Sequence, residues 1–395
     1  MHVEDIVRRI LVPARDQIHV YRQTAMLVAV AAIVRAGRLT VAALGRNVRG
    51  RTAPKHSIKR IDRLLSNGRL HRERMLVFSA MTRWILRDQT RPLVLVDWTM
   101  VTGRFRALYA AVPIGGRAVT IYLEVHHEKK LGNTRVQTKF LQRLGEILPP
   151  GCRSIIVSDA GFHGPFFRDV VALGWDFVGR LRGTAKARPL AGGASMSKEE
   201  LYARATTTPQ DLGAFQLYTH AKSLPARLVL IRKLKKPGRK LPPPTSKEEI
   251  EYRRTAKDPL LVATSLTDPD AVAIIGIYAT RMQIEETFRD AKNFRFGWCL
   301  RHVVSRSAKR LSSLLLLTAL ATLAVVLIGF AAETLGKHRA YQANTARSRV
   351  LSFFVLGQAF IRRSDHRVLR PPVLRAVVGL FRLTIYSLTF VGNPT

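Results

Sequence analysis

The chain has 395 residues, enough for two or three domains with their own cores. Lys and Arg number 65 against 27 Asp and Glu, a formal net charge of +38; self-repulsion on that scale calls for an anionic partner, with nucleic acid the first candidate and an anionic membrane surface the second. Two cysteines, Cys152 and Cys299, exclude a disulfide framework and a CxxC metal site, and together with an N-terminus that lacks a charged segment followed by an apolar core they point to a reducing, cytoplasmic compartment.

Arg exceeds Lys, and both are dispersed along the chain, which suits a protein that meets DNA over much of its surface, because guanidinium forks match phosphate oxygens and guanine edges. Residues 1–88 alternate apolar and basic positions with helical period. Helices are expected at 25–34, 41–47 and 55–67, with His56-Ser57 capping the third and Asn67-Gly68 ending it. Lys59, Arg60 and Arg63 share one face of that third helix; such a face can grip duplex DNA, and it also fits a surface that is merely solvated. From Arg91 the pattern turns to strands, at 93–96, 105–112 and 119–125, with Pro113 stopping the second and Gly115-Gly116 signalling a hairpin. A helix at 134–147, a strand at 154–157, a helix at 165–172 and a strand at 175–179 follow.

Between 181 and about 259 short strand-like runs (215–218 and 226–231) are joined by Gly- and Pro-rich connectors, and the basic stretch 233–240 reads as an exposed loop or a linker. A strand at 260–265 feeds a helix that starts near Asp268 and Asp270, acidic residues suited to a helix N-terminus. Residues 311–332 carry no charge and are long enough to cross a bilayer. They directly follow Arg301, Arg306, Lys309 and Arg310, and a span there would split the domain holding the preceding helix, so a helix buried in the core is expected and no membrane partner. An amphipathic segment at 347–359 and four further arginines, 362, 363, 367 and 370, close the pattern.

Three carboxylates stand out. Asp97 closes the apolar run Leu93-Val94-Leu95-Val96, and Asp159 closes Ile155-Ile156-Val157-Ser158. A buried strand that ends in a carboxylate exposes it where open α/β sheets hold ligands, although an Asp there also serves as an ordinary turn residue. The third is Glu285, in a stretch where Tyr278, Arg281, Glu285 and Lys292 fall within an arc of roughly 60° on a helix turning about 100° per residue. That stripe fits a reactive surface and equally a solvated charged face. Two Asp and a Glu form a hard-oxygen set suited to Mg²⁺ or Mn²⁺, and two such ions can drive displacement at a phosphodiester.

Asp97 in VDW, Asp159 in SDAGF and the Tyr-x2-Arg-x3-Glu-x6-Lys spacing from Tyr278 to Lys292 resemble the DDE transposases of bacterial insertion sequences, more narrowly the insertion-sequence-four group with its YREK signature. The element order, three antiparallel strands followed by αβαβ, is that of the RNase H-like fold. The resemblance implies an α/β RNase H-like core at 89–180 and 267–335, interrupted by a β-rich insertion at 181–266, behind an all-α DNA-binding domain at 1–88 and before a helical, dimerising region at 336–395. It implies that Asp97, Asp159 and Glu285 hold two Mg²⁺ or Mn²⁺ ions. Arg281, Lys292 and Tyr278 would grip phosphates, and Lys59, Arg60 and Arg63 would bind DNA. The activity implied is cut-and-paste transposition of an element with terminal inverted repeats, by a homodimer acting on double-stranded DNA in the bacterial cytoplasm. An inactive DNA-binding relative, or a nuclease without strand transfer, would carry the same pattern.

Overall fold

The computed structural model describes residues 3–87, 89–182, 186–218, 223–232, 243, 250, 258–364 and 371–389. The chain is mixed α/β and forms two compact units, Met1–Ser154 with Thr280–Thr389, and Ile155–Ala279.

The first unit opens with helices α1 (Val3–Ile10), α2 (Val20–Ala36), α3 (Val41–Arg46), α4 (Pro54–Leu65) and α5 (Gly68–Leu86). The boundary between α4 and α5 differs from the sequence expectation. Asn67 caps α5, its Oδ1 accepting from the backbone N–H groups of Arg69 (2.9 Å) and Leu70 (3.0 Å), because a short acceptor at this position satisfies amides that a helix start leaves open. Likewise α4 begins at Pro54 behind Ala53 rather than at a His56-Ser57 cap; proline presets the helical φ at the first position and has no N–H to satisfy. Ser57 is instead buried inside the helix bundle.

Strands β1 (Leu93–Thr102), β2 (Phe105–Ile114) and β3 (Arg117–His127) pair antiparallel with β2 in the middle. Gly115 (φ 49°) and Gly116 (φ 93°) make the two-residue turn between β2 and β3, a geometry that only glycine adopts without strain. Pro113 does not stop β2: it pairs with Ala118 of β3, and its missing N–H is harmless because the ladder with β1 runs only as far as Ala111. Helix α6 (Thr134–Ile147) follows, capped by Asn133. Tyr122 of β3 packs on one sheet face, edge-on to Phe78 of α5 and stacked on Phe140 of α6. Residues of the opposite face, among them Tyr109, meet Phe288 from a later helix.

That later helix is α10 (Met282–Lys292); α11 (Ala308–Thr334), α12 (Phe353–Arg362) and α13 (Pro371–Thr389) complete the unit. The uncharged segment of α11 is buried within the unit, packed on α2, α5, α12, α13 and β3. Its Thr318 bonds back to the carbonyl of Leu314, whereas Thr322 accepts from the indole Nε1 of the buried Trp298 at 2.9 Å. Arg310 at its start pairs with Asp62 of α4 at 2.6 Å and so fastens the N-terminal helices to it.

The second unit holds β4 (Ile155–Ser158), α7 (Gly164–Ala172), β5 (Asp176–Arg180), β6 (Ala187–Pro189), α8 (Lys198–Ala203), β7 (Gln210–Leu217), β8 (Leu224–Ile231), β9 (Leu260–Thr264) and α9 (Ala271–Ala279). Its strands line up as β4-β5-β9-β8-β7-β6, with β4 and β5 parallel and the rest antiparallel. The apolar runs near 215 and 226 thus continue the sheet begun by β4 and β5. Gly179 lets β5 approach α7, since a Cβ there would lie 2.3 Å from the Phe167 ring. The basic stretch 233–240 lies outside the described residues.

Candidate active site

Asp97 sits in the middle of β1, 9 % exposed, one residue past the fully buried Leu93-Val94-Leu95-Val96 run. Its Oδ1 accepts from the N–H of Trp98 at 2.7 Å, leaving Oδ2 facing Arg281 Nη1 at 3.8 Å. The same Nη1 donates to Glu285 Oε1 at 2.5 Å. One guanidinium therefore bridges the two carboxylates. Beside them, Lys292 Nζ donates to Thr99 Oγ1 at 2.7 Å, two residues along β1 from Asp97. Burial first, then the like charges of Arg301 and Arg106, push the Lys292 ammonium below its ordinary value, and Asp97 opposes that shift. Arg281 and Lys292 thus reach β1, and Glu285 is paired with Arg281.

The single helix expected over this stretch is two. Helix α9 ends at Ala279 and α10 starts at Met282, with the Gln283 N–H turning back to the Thr280 carbonyl at 2.9 Å. The break follows from how α10 is held. Gln283 Oε1 accepts from the N–H groups of Ile114 (3.0 Å) and Gly116 (3.2 Å), and Thr287 Oγ1 accepts from Ala118 N at 2.8 Å. Arg117 Nε donates to Asp290 Oδ2 at 2.6 Å. Gln283, Thr287 and Asp290 form the i, i+4, i+7 stripe that locks α10 onto the β2–β3 hairpin. None of these anchors was singled out from sequence, although their helical spacing was there to be read. Tyr278 lies in α9, in the second unit, 6 % exposed. The Arg180 guanidinium in that unit is lowered, first by burial and then by neighbouring Arg182, with Tyr278, Tyr202 and Asp258 acting in the opposite direction.

A second polar cluster supports β1 from behind. Glu124 of β3 is buried, accepting from Tyr122 Oη (2.5 Å) and Arg143 Nη1 (2.7 Å), with His126 Nε2 at 2.9 Å. The His126 ring meets the edge of Trp98, the neighbour of Asp97. Burial would raise the Glu124 carboxyl, but hydrogen bonds from His126, Tyr122 and Arg143 outweigh it and hold the group at about 2 against an ordinary 4.5. A depressed carboxylate stabilises the fold above its unfolded value and loses that contribution as pH falls from 4.5 toward 2. Glu124→Gln is therefore expected to lower stability by about 3 kcal/mol at neutral pH. The gap between variant and wild type should narrow as pH drops through that window; denaturant unfolding followed by circular dichroism at several pH values checks it, and a gap independent of pH would refute the assignment.

The remaining candidates fall as follows. Asp159 follows β4, half-buried, with Oδ1 accepting from Gly161 N at 2.8 Å, which shapes the turn into α7. Lys59, Arg60 and Arg63 are exposed on α4. Met282 is exposed and its sulfur receives Arg281 Nη2 at 3.5 Å.

Among the described residues no group of three or more His, Cys, Asp and Glu side chains is gathered to hold a metal ion. The pair Asp97 and Glu285 nevertheless supplies hard oxygen donors brought to one cationic group, a donor set that fits a divalent ion once the guanidinium withdraws. Residues 88–323, more than half of the chain, match the sequence profile of the transposase DDE domain family. The chain belongs to that family. It is a DDE transposase by membership, a nuclease-type enzyme with DNA as substrate, and such enzymes generally use divalent metal ions. The mixed α/β architecture with its sheets and covering helices agrees with a DDE domain. Comparison with curated proteins gave no match.

Proposed function

We propose that this DDE transposase is a cut-and-paste enzyme of the insertion-sequence-four group, with an RNase H-like core, that binds the terminal inverted repeats of its element, cleaves them and joins the 3′ ends to target DNA. The observation that carries this reading is that Arg281 and Lys292 reach β1 beside Asp97, with Glu285 paired to Arg281, within a transposase DDE domain. Asp97 and Glu285, with Asp159 as the third carboxylate of the set, would hold Mg²⁺ or Mn²⁺. Two such ions, when bound, supply activation of the attacking oxygen and neutralisation of the leaving one. Arg281 then grips a phosphate oxygen in place of the carboxylates, and its planar fork can do so through two hydrogen bonds. Lys292 adds a point charge on the same side, and Tyr278 a hydroxyl donor. Lys59, Arg60 and Arg63 on α4 contact duplex phosphates, the region 1–88 serving as the DNA-binding domain and 336–395 as the region that pairs two protomers. A cytoplasmic, nucleoid-associated setting follows from the substrate.

The test is excision in bacteria from a plasmid carrying the coding region with its native flanking DNA. Excision with reinsertion supports the transposase; cleavage without joining supports a nuclease, and a gel shift of the flanking DNA without cleavage supports an inactive binding relative. Arg281→Ala is expected to leave Mn²⁺ binding measurable by calorimetry while lowering strand transfer by about 10²-fold, the typical effect of removing one donor to developing charge. Full strand transfer in that variant would rule out the clamp.

A further inference from the structure

The loop that leaves α10, residues 293–299, carries a feature that the catalytic reading does not use. Phe294 and Phe296 are 65 % and 55 % exposed, whereas among the described residues every other phenylalanine is buried. The loop is held firmly by its own bonds. Asn293 Oδ1 accepts from the N–H groups of Arg295 (2.7 Å) and Phe296 (3.0 Å), the Trp298 N–H reaches the Asp290 carbonyl at 3.2 Å, and the Cys299 N–H reaches the Asn293 carbonyl at 3.2 Å. Gly297 lets the chain pass against the end of α10, since a Cβ there would lie 1.7 Å from the Asp290 carbonyl oxygen. Trp298, one residue on, is 1 % exposed and bonded to α11. The two phenyl groups therefore stand outward from a fixed loop instead of from a segment free to collapse.

One cation lies over a ring, and others neighbour the loop in sequence. The Arg295 guanidinium lies 5.3 Å from the Phe294 ring centroid, Lys292 precedes the loop, and Arg301 and Arg306 are exposed just after it, where Val304 is 94 % exposed. Rings beside arginine also serve contacts between proteins, but a chain with a net charge of +38 favours a polyanion as the occupant. Exposed rings interleaved with arginine are what an unpaired nucleic-acid strand uses, the rings stacking on bases and the cations following phosphates. We infer that Phe294 and Phe296, with Arg295, form a platform on which unpaired bases of a DNA strand stack as it leaves the Asp97–Glu285 site. The inference rests on the DNA-transposase reading and adds a sequence-tolerant single-strand subsite to it.

The test compares binding of an oligothymidylate of about 20 nucleotides, longer than such a site spans, with an abasic strand of the same length and with a blunt duplex. Full-length protein is expected to prefer the oligothymidylate over the abasic strand about tenfold. Phe294→Ala/Phe296→Ala should reduce that preference to about twofold or less, without changing affinity for the abasic strand or the duplex and without lowering the melting temperature; Phe294→Tyr/Phe296→Tyr should keep it. A double-alanine variant that retains the tenfold preference overturns the platform while leaving the DNA reading intact. If it also sediments as a smaller species, the rings belong to a contact between protein copies and the platform is equally overturned. Failure of the wild type to bind any of the three probes would instead strike at the DNA reading itself.

Discussion

Glu285→Gln is expected to lower excision by about 10³-fold or more while leaving the fold and duplex binding unchanged. In the proposed mechanism Glu285 helps to hold the metal ions, and losing such a ligand would remove several kcal/mol, each 1.4 kcal/mol or so being tenfold in rate. The fold should not notice. The Glu285 side chain is 40 % exposed, it pairs with Arg281, and Gln has nearly the same helix propensity. The contrast with Asp290, five residues on, sharpens the test. Asp290 is held by Arg117 at 2.6 Å, and burial pushes its carboxyl upward in spite of that partner. Asp290→Asn leaves Arg117 without its closest ionic partner in the hairpin contact and should loosen α10 and lower the melting temperature, with activity falling only as far as the helix shifts. Excision assayed beside thermal melts for both variants separates chemistry from positioning. Equal excision by wild type and Glu285→Gln would show that Glu285 is misassigned.

The sheets were legible because their determinants are local. Buried β-branched runs such as Leu93-Val94-Leu95-Val96 cannot be anything but covered, and Gly115-Gly116 announces a two-residue hairpin whose backbone conformation other residues resist. Helix α6 was found at its observed bounds because Asn133 caps it and its apolar period is unbroken. The break between α9 and α10 was not legible. Every residue from Ile277 to Lys292 tolerates helix, and what divides the stretch is a set of bonds from Gln283 and Thr287 to a hairpin some 170 residues earlier. The Glu124 cluster was half hidden: Tyr122, Glu124 and His126 alternate onto one face of β3, but Arg143 reaches them only once α6 packs. The role of Arg281 was half legible. Spacing put it beside Glu285, but only the folded chain shows its guanidinium standing between that carboxylate and Asp97.

The long apolar helix gives the second large expected effect. Gly329 of α11 and Gly357 of α12 are where the two helices touch backbone to backbone: a Cβ on Gly329 would lie 1.9 Å from the Phe353 carbonyl oxygen, and one on Gly357 would lie 2.0 Å from that of Val325. No rotamer change relieves a clash with a carbonyl, so the helices must separate and the packing of Phe330, Phe353 and Trp298 around the crossing must open with them. Gly329→Val is expected to destabilise by about 4 kcal/mol or more, which corresponds to a melting temperature lower by roughly 10 °C or to loss of soluble protein. Gly379 in α13 makes the opposite prediction. It is exposed, and a Cβ there meets nothing within 4 Å, so Gly379→Ala should raise stability by about 0.5–1 kcal/mol through better helix propensity. The pair of melts also decides what α11 is for. A bilayer-spanning helix has lipid around it and absorbs a valine with little change, whereas a core helix crossed at Gly329 cannot; unchanged melting of Gly329→Val would therefore remove α11 from the core and reopen the reading of residues 311–332 as a membrane span.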